Sequence, residues 1–261
     1  MNVHRALAIS IVFVSAALSA PSDSNAQNPE SPRDRCLWEG WLPPATARER
    51  VRHAARLTDS EVARLRGVAM GADKVAREQA IERLGAAEDD ATVTLLADAL
   101  ADPDPIIVDA AVRALGRIGA TSTLGAVESL ASSANSHVRQ GAVWALGQIQ
   151  DTRALPTLLT ASLDTSKHVR QEATWAIGLL HDKRGVMRLN ELARDTSSHI
   201  RLSAACSLWL AGAADQTTRD TLSLLAHDRE DLVREIAKWV LDQLDPLTPR
   251  SASTGGPATI M

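Results

Sequence analysis

Apolar residues return along this chain with two superimposed periods. The short one is helical. In "HVRQGAVWALGQIQ", which begins at His137, the residues Val138, Ala142, Leu146 and Ile149 are spaced by four, four and three, so all fall on one face of an α-helix. The long one is a repeat: from His168 the chain reads "HVRQEATWAIGLLH". Anchored on the central alanine, the same register falls at Ala80, Ala111, Ala142, Ala173, Ala204 and Ala237, at spacings of 31, 31, 31, 31 and 33 residues. Four residues earlier stand Ala76, Ile107, Val138, Val169, Ile200 and Val233, and four later Leu84, Leu115, Leu146, Ile177, Leu208 and Leu241. Each unit therefore contains an amphipathic helix of about four turns.

The other half of each unit is helical too. "RALPTLLTASL" from Arg153 and "RGVMRLNELAR" from Arg184 space apolar residues by three and four, which predicts a helix of roughly 11 to 14 residues. Each follows an Asp, and Pro156 falls near the first turn, as suits a helix start. Two helices with short connections use up the period and leave no room for strands. The expected fold is all-α: a right-handed α-solenoid of stacked helical hairpins over residues 46–245, each burying its apolar face on its neighbours. Composition agrees, since Tyr is absent and Phe occurs once, which starves a sheet of its preferred residues.

The ends read differently. Residues 1–26 have the form of a signal peptide: a short cationic start, the apolar run "ALAISIVFVSAALSA", and the small-residue site "SNA" ending at Ala26. The run is short for a membrane span, so the chain is expected to be periplasmic or secreted, with an uncleaved anchor as the alternative. Residues 27–45 form a linker or N-terminal cap, in which Trp38 and Trp41 of "RCLWEGWLPP" either clamp the first hairpin or make a linear contact motif. Residues 246–261, rich in Pro, Ser, Thr and Gly, read as a disordered tail. Export permits a disulfide between the two cysteines, Cys36 and Cys206. An internal bridge, free thiols and an intermolecular bond all remain open.

Charge and motifs narrow the chemistry. The 28 basic and 32 acidic residues are dispersed, with no basic stripe to neutralise phosphates, which argues against nucleic acid. GxSxG, Walker, GxGxxG and HExxH motifs are absent, so the chain is not expected to be an enzyme. His137, His168 and His199 share a register. Helices in adjacent units stand about 8 to 10 Å apart, whereas zinc ligands lie about 2.0 to 2.3 Å from one ion. No metal and no cofactor is expected.

The stretch "VRQGAVWALGQIQDTRALPTLL" resembles the short HEAT-like repeats of bacteria, the type also found in phycobilisome lyases and in designed binding scaffolds. The resemblance covers residues 71–245. It includes an Asp and an Arg six residues apart: Asp164 with Arg170, Asp195 with Arg201, and Asp228 with Arg234. The resemblance implies that these tie adjacent repeats together. Nearer the start, Gly71 with Arg77, Asp102 with Val108, and Ser133 with Arg139 each lack one partner or both.

A second row carries the candidate site. Two residues after the register alanine come Glu82, Arg113, Trp144, Trp175, Cys206 and Trp239, a position too varied to belong to the core. The resemblance places it on the concave side. Gln140, Gln148, Gln171 and Gln243 share that face, with His137 and His168 at its edge and Glu172 and Glu235 beside it. Trp with an amide one turn later is similar to the ladders by which armadillo proteins clamp extended peptides. Trp offers a large flat area with a donor at its edge, as binding hot spots use. The expected function is an exported, non-catalytic module that binds a protein or extended peptide on this face. The alternatives are a lyase- or chaperone-like protein handling a prosthetic group, and a structural or oligomerising spacer. The indoles themselves read either as a ladder or as packing along the groove.

Overall fold

The computed structural model describes Cys36 and residues 57–87 and 89–244. The expected signal peptide, Trp38, Trp41 and the C-terminal tail lie outside the described residues.

Helices follow one another in pairs. The first helices are α1 (Asp59–Ala69), α3 (Asp90–Asp98), α5 (Leu124–Leu130), α7 (Leu155–Ala161), α9 (Val186–Leu192) and α11 (Gln216–Leu225). The second helices are α2 (Lys74–Leu84), α4 (Pro105–Ile118), α6 (Ser136–Ile149), α8 (Lys167–Leu179), α10 (Ser198–Leu210) and α12 (Asp231–Leu244). No strand occurs among the described residues. Each register alanine sits mid-way along a second helix and is almost fully buried, as are Leu84, Leu115, Leu146, Ile177 and Leu208. Ala76 and Leu241 are only half-buried, because the end hairpins have one neighbour instead of two.

The first helices α7 and α9 are shorter than expected, seven residues each behind the 3₁₀ turns Thr152–Ala154 and Lys183–Gly185. Asp151 and Asp182 cap these turns. Each carboxylate accepts the backbone N–H two residues on, from Arg153 and Arg184 at 2.9 Å, and holds the entry in a tight turn before the α-helix begins.

Second helices end on a left-handed residue in four successive units: Gly119, Gln150, His181 and Gly212, again one period apart. The two non-glycines use their side chains to reach the next second helix. Gln150 Nε2 donates to the Leu179 carbonyl at 3.1 Å, and His181 Nδ1 donates to that of Leu210 at 2.7 Å.

Small residues let the second helices come close. A Cβ on Gly147 would lie 2.9 Å from the Cβ of Ala176, and one on Gly178 2.7 Å from that of Ser207, nearer than side chains can approach. The second helices therefore pack on one another far more extensively than the first helices do. A stack that is tight on one layer and loose on the other curves toward the tight one, so the second helices line the inner face. Trp209 stands where the next glycine would be, and its ring packs edge-on against Trp239, 5.0 Å between centroids.

An Arg–Asp ladder ties the units, but not in the pairs the sequence suggested. Within a unit, Arg170 and Arg201 donate through Nη1 to the backbone carbonyls of Asp164 and Asp195, and Arg234 to that of Asp228, at 2.7 to 2.9 Å. The carboxylates instead take the Arg of the preceding unit. Arg139 donates to both oxygens of Asp164 (2.7 and 2.9 Å), Arg170 to Asp195 (3.2 Å), and Arg201 to both oxygens of Asp228 (2.6 and 2.7 Å). These bonds hold the carboxyls of Asp164 and Asp228 below the usual range. Because only a carbonyl is needed within the unit, Ser133 serves Arg139 as well as an Asp would. Arg77 likewise reaches Asp102. One rung is missing, that between Val108 and Ser133, where both partners have been replaced together.

Candidate binding groove

Successive residues of an α-helix are about 100° apart, so the glycine contacts fix how each second helix is oriented. With the register alanine at zero, the glycine five residues on touches the following helix and the small residue three residues on touches the preceding one. Only the arc between those flanks is open to the groove. It holds the positions two before, two after and six after the alanine.

Along α2 and α4 those positions carry charge. Glu82 is exposed, and Glu78, Asp109, Arg113 and Arg117 are half-buried. Arg113 donates from Nε to Asp109 at 2.8 Å, and its guanidinium lies over the ring of Trp144, 5.8 Å from the centroid. Arg117 donates to the Glu82 carbonyl at 2.8 Å. On α6 the arc holds Gln140, Trp144 and Gln148. On α8 and α10 it holds Gln171, Trp175, Leu179, Leu202, Cys206 and Leu210, with no charged group among the six. Glu235, Trp239 and Gln243 complete it on α12.

Several candidate residues are less accessible than the sequence implied. Trp175 is 5% exposed and Gln148 8%, as buried as core residues. Trp144, Trp239, Gln140 and Gln171 are half-buried, and His137, His168 and Gln243 are exposed. Gln148 and Trp175 are buried because a helix flanked on both sides offers solvent a narrow strip, not a half-cylinder. The Trp–Gln ladder is thus broken at Gln148. Among the described residues no three His, Cys, Asp or Glu side chains gather as a metal site, and no helix is long and apolar enough to cross a membrane.

Glu172 sits one position before the register alanine, on the flank of α8 that faces α6. Three of its counterparts, Ala110, Gly141 and Ser203, are small, and Ile236 is apolar. Glu172 itself is 6% exposed and accepts a hydrogen bond from Gln140 Nε2 at 3.2 Å. Burial pushes its pKa up to about 8, against the opposing pull of Gln140 and Arg113, so it carries a proton at neutral pH.

The feature that sequence reasoning left undecided is covalent. Cys36 and Cys206 form a disulfide, with Cα atoms 5.7 Å apart. Cys206 lies in the centre of the groove arc of α10, so the bond brings Cys36 onto the inner face at the fifth hairpin. Cys36 is 2% exposed and Cys206 1%. With two cysteines in the sequence, an internal bridge could only be this one; what the sequence left open was whether it forms.

A HEAT repeat family model matches residues 62–133, 95–168 and 159–242. Solved structures are similar in fold. YibA of Escherichia coli shares 18% identity at a TM-score of 0.56, covering 76% of this chain and 72% of that one. A designed armadillo repeat protein in complex with the peptide (KR)4 shares 16% at 0.55, covering 70% and 98%. The complex of CpcE and CpcF of phycocyanin lyase from Nostoc sp. PCC7120 shares 17% at 0.55, covering 73% and 78%. No curated protein matches the chain significantly. With its units joined by one Arg–Asp ladder and the family model spanning most of its length, the chain belongs to the HEAT repeat family.

Proposed function

We propose that this protein is an exported, non-catalytic interaction module that holds an extended segment of another protein along its inner face. The observation that carries the reading is the lining of the groove over α2 to α6. There a half-exposed Trp144 lies beneath Arg113, with Gln140 beside it and Glu78, Glu82 and Asp109 ahead. A flat ring with forked donors and acceptors around it suits an extended chain, whose backbone presents both kinds of group. The solved complex of a designed armadillo protein with a peptide supports the use of such a face. The likeness to phycocyanin lyase is one of fold, and no catalytic motif accompanies it here. Export rests on the apolar run near the N-terminus and on the Cys36–Cys206 bond, which needs an oxidising compartment to persist.

The test is a displayed library of extended peptides panned against the full oxidised chain. Selected peptides should bind in solution, and Trp144→Ala or Arg113→Ala should weaken them about tenfold or more. Binders that are indifferent to both changes would place recognition elsewhere and sink the reading.

A further inference from the structure

Flanking helices narrow the open strip on every interior second helix alike, so differences in burial from one unit to the next report what lies over the row. On the row two after the register alanine, burial rises and falls along the array. Glu82 is exposed, Arg113 and Trp144 are half-buried, Trp175 is 5% and Cys206 1% exposed, and Trp239 is half-buried again. The maximum is at Cys206, and what lies over Cys206 is Cys36, itself 2% exposed. The surrounding arc is the uncharged stretch of the groove, which carries Leu179, Leu202 and Leu210 as well as Trp175. Directly after Cys36 the chain reads "LWEGWL", four large apolar residues in six, closed by Pro43 and Pro44.

From these observations we propose that the apolar half of the inner face is a binding site for the protein's own residues 37–42, seated there by the Cys36–Cys206 bond. The proposal rests on the reading of the inner face as a binding surface and names its occupant over α8 and α10. A foreign segment is left the charged half over α2 to α6. The reach suffices. From the fifth hairpin back to the first is four steps of about 10 Å, which about a dozen extended residues would span. The connection from Cys36 to Leu57 has twenty residues, 37–56. Trp38 and Trp41 would act as rigid anchors on an apolar floor, the use to which aromatic side chains are suited at interfaces.

Two measurements on the full chain test this. The first is the equilibrium in glutathione buffer, in which two glutathione thiols reduce the Cys36–Cys206 bond to two protein thiols and leave one glutathione disulfide. If residues 37–42 dock, they hold the two cysteines together, and replacing Trp38 and Trp41 by Ala should lower the effective concentration of the pair at least tenfold. An unchanged ratio would overturn the proposal. Both substitutions lie outside the repeats, so folding is checked simply by helical signal. The second uses a synthetic peptide of residues 33–44 carrying Cys36→Ser, added to the chain with Trp38→Ala and Trp41→Ala under reducing conditions. It should bind saturably, and Leu202→Asp should abolish that binding. No binding, or binding indifferent to Leu202→Asp, refutes self-occupation. The panned peptides keep the two ideas separable: if they bind through Trp144 while the peptide of residues 33–44 does not bind, self-occupation alone fails. If the peptide of residues 33–44 binds and the panned peptides ignore Trp144 and Arg113, the reading of the charged half alone fails.

Discussion

Replacing Glu172 by Gln should make this protein more stable at neutral and alkaline pH and leave it unchanged in acid. The carboxyl is 6% exposed between α6 and α8, and burial raises its pKa from 4.5 to about 8. The folded state thus keeps a proton that the unfolded state releases above pH 4.5. Stability from this group is fully present below that value and falls as pH rises, by about 1.4 kcal/mol per pH unit until the folded pKa is passed. At pH 7.5 the accumulated loss is roughly 4 kcal/mol, an upper figure because local opening can let water reach the charged form. Gln has the shape of the protonated acid and keeps a carbonyl to accept from Gln140, so it removes the loss without opening a cavity. The ladder carboxylates run the other way. Asp164 and Asp228 titrate below the usual range, so their stabilisation is present above the unfolded value near pH 4 and is lost as pH falls.

Urea unfolding of parent and Glu172→Gln from pH 4 to 9 checks this, because the difference between the two curves cancels the ladder and isolates Glu172. The difference should be near zero at pH 4, climb through pH 5 to 8, and level off above that. A flat difference would show that Glu172 is ionised and solvated in the folded protein, and the argument from its burial would fall.

Trp175→Ala should cost about 3 to 5 kcal/mol, as a buried indole does, and the half-buried Trp144→Ala clearly less; equal costs in thermal melts would contradict the difference in burial. Arg201→Ala strands Asp228, whose side chain is 9% exposed, and should cost about 3 kcal/mol. Arg153→Ala, at a side chain 72% exposed, should change stability by about half a kcal/mol or less. Val108→Arg with Ser133→Asp rebuilds the missing rung, so a double-mutant cycle should give a favourable coupling of about 1 kcal/mol or more; zero coupling would mean the ladder is geometry without energy.

The hairpins were legible because a period of 31 residues and a helical period inside it both leave their mark on residue type. The ladder was legible only in part. Asp and Arg six residues apart in sequence look like a pair, yet the Arg spends its Nη1 on a backbone carbonyl, which any residue supplies, and its carboxylate partner lies about 25 residues further on. Sequence shows side chains and hides carbonyls, so Ser133 looked like a defect when it was a functioning half of a contact. The real gap, Val108 with Ser133, becomes visible once the pairing runs between units.

The groove was harder for a geometric reason. A helical wheel divides residues into those that face a core and those that do not, and on that division Trp144, Trp175, Gln148 and Glu172 all fall outside the core. In a stacked array each second helix has a neighbour on either side as well as a core beneath, and small residues bring those neighbours to contact. The outward half-circle shrinks to a strip, so Glu172 ends between helices with its proton and Gln148 is covered. What closes the middle of the strip is not local to any helix. Cys36 and Cys206 are 170 residues apart, and no periodicity relates them, so the covering of Cys206 is a property of the folded chain alone. The same variation that made the row look like surface, Glu then Arg then Trp then Cys, records a groove whose first residue faces water and whose middle is closed by Cys36.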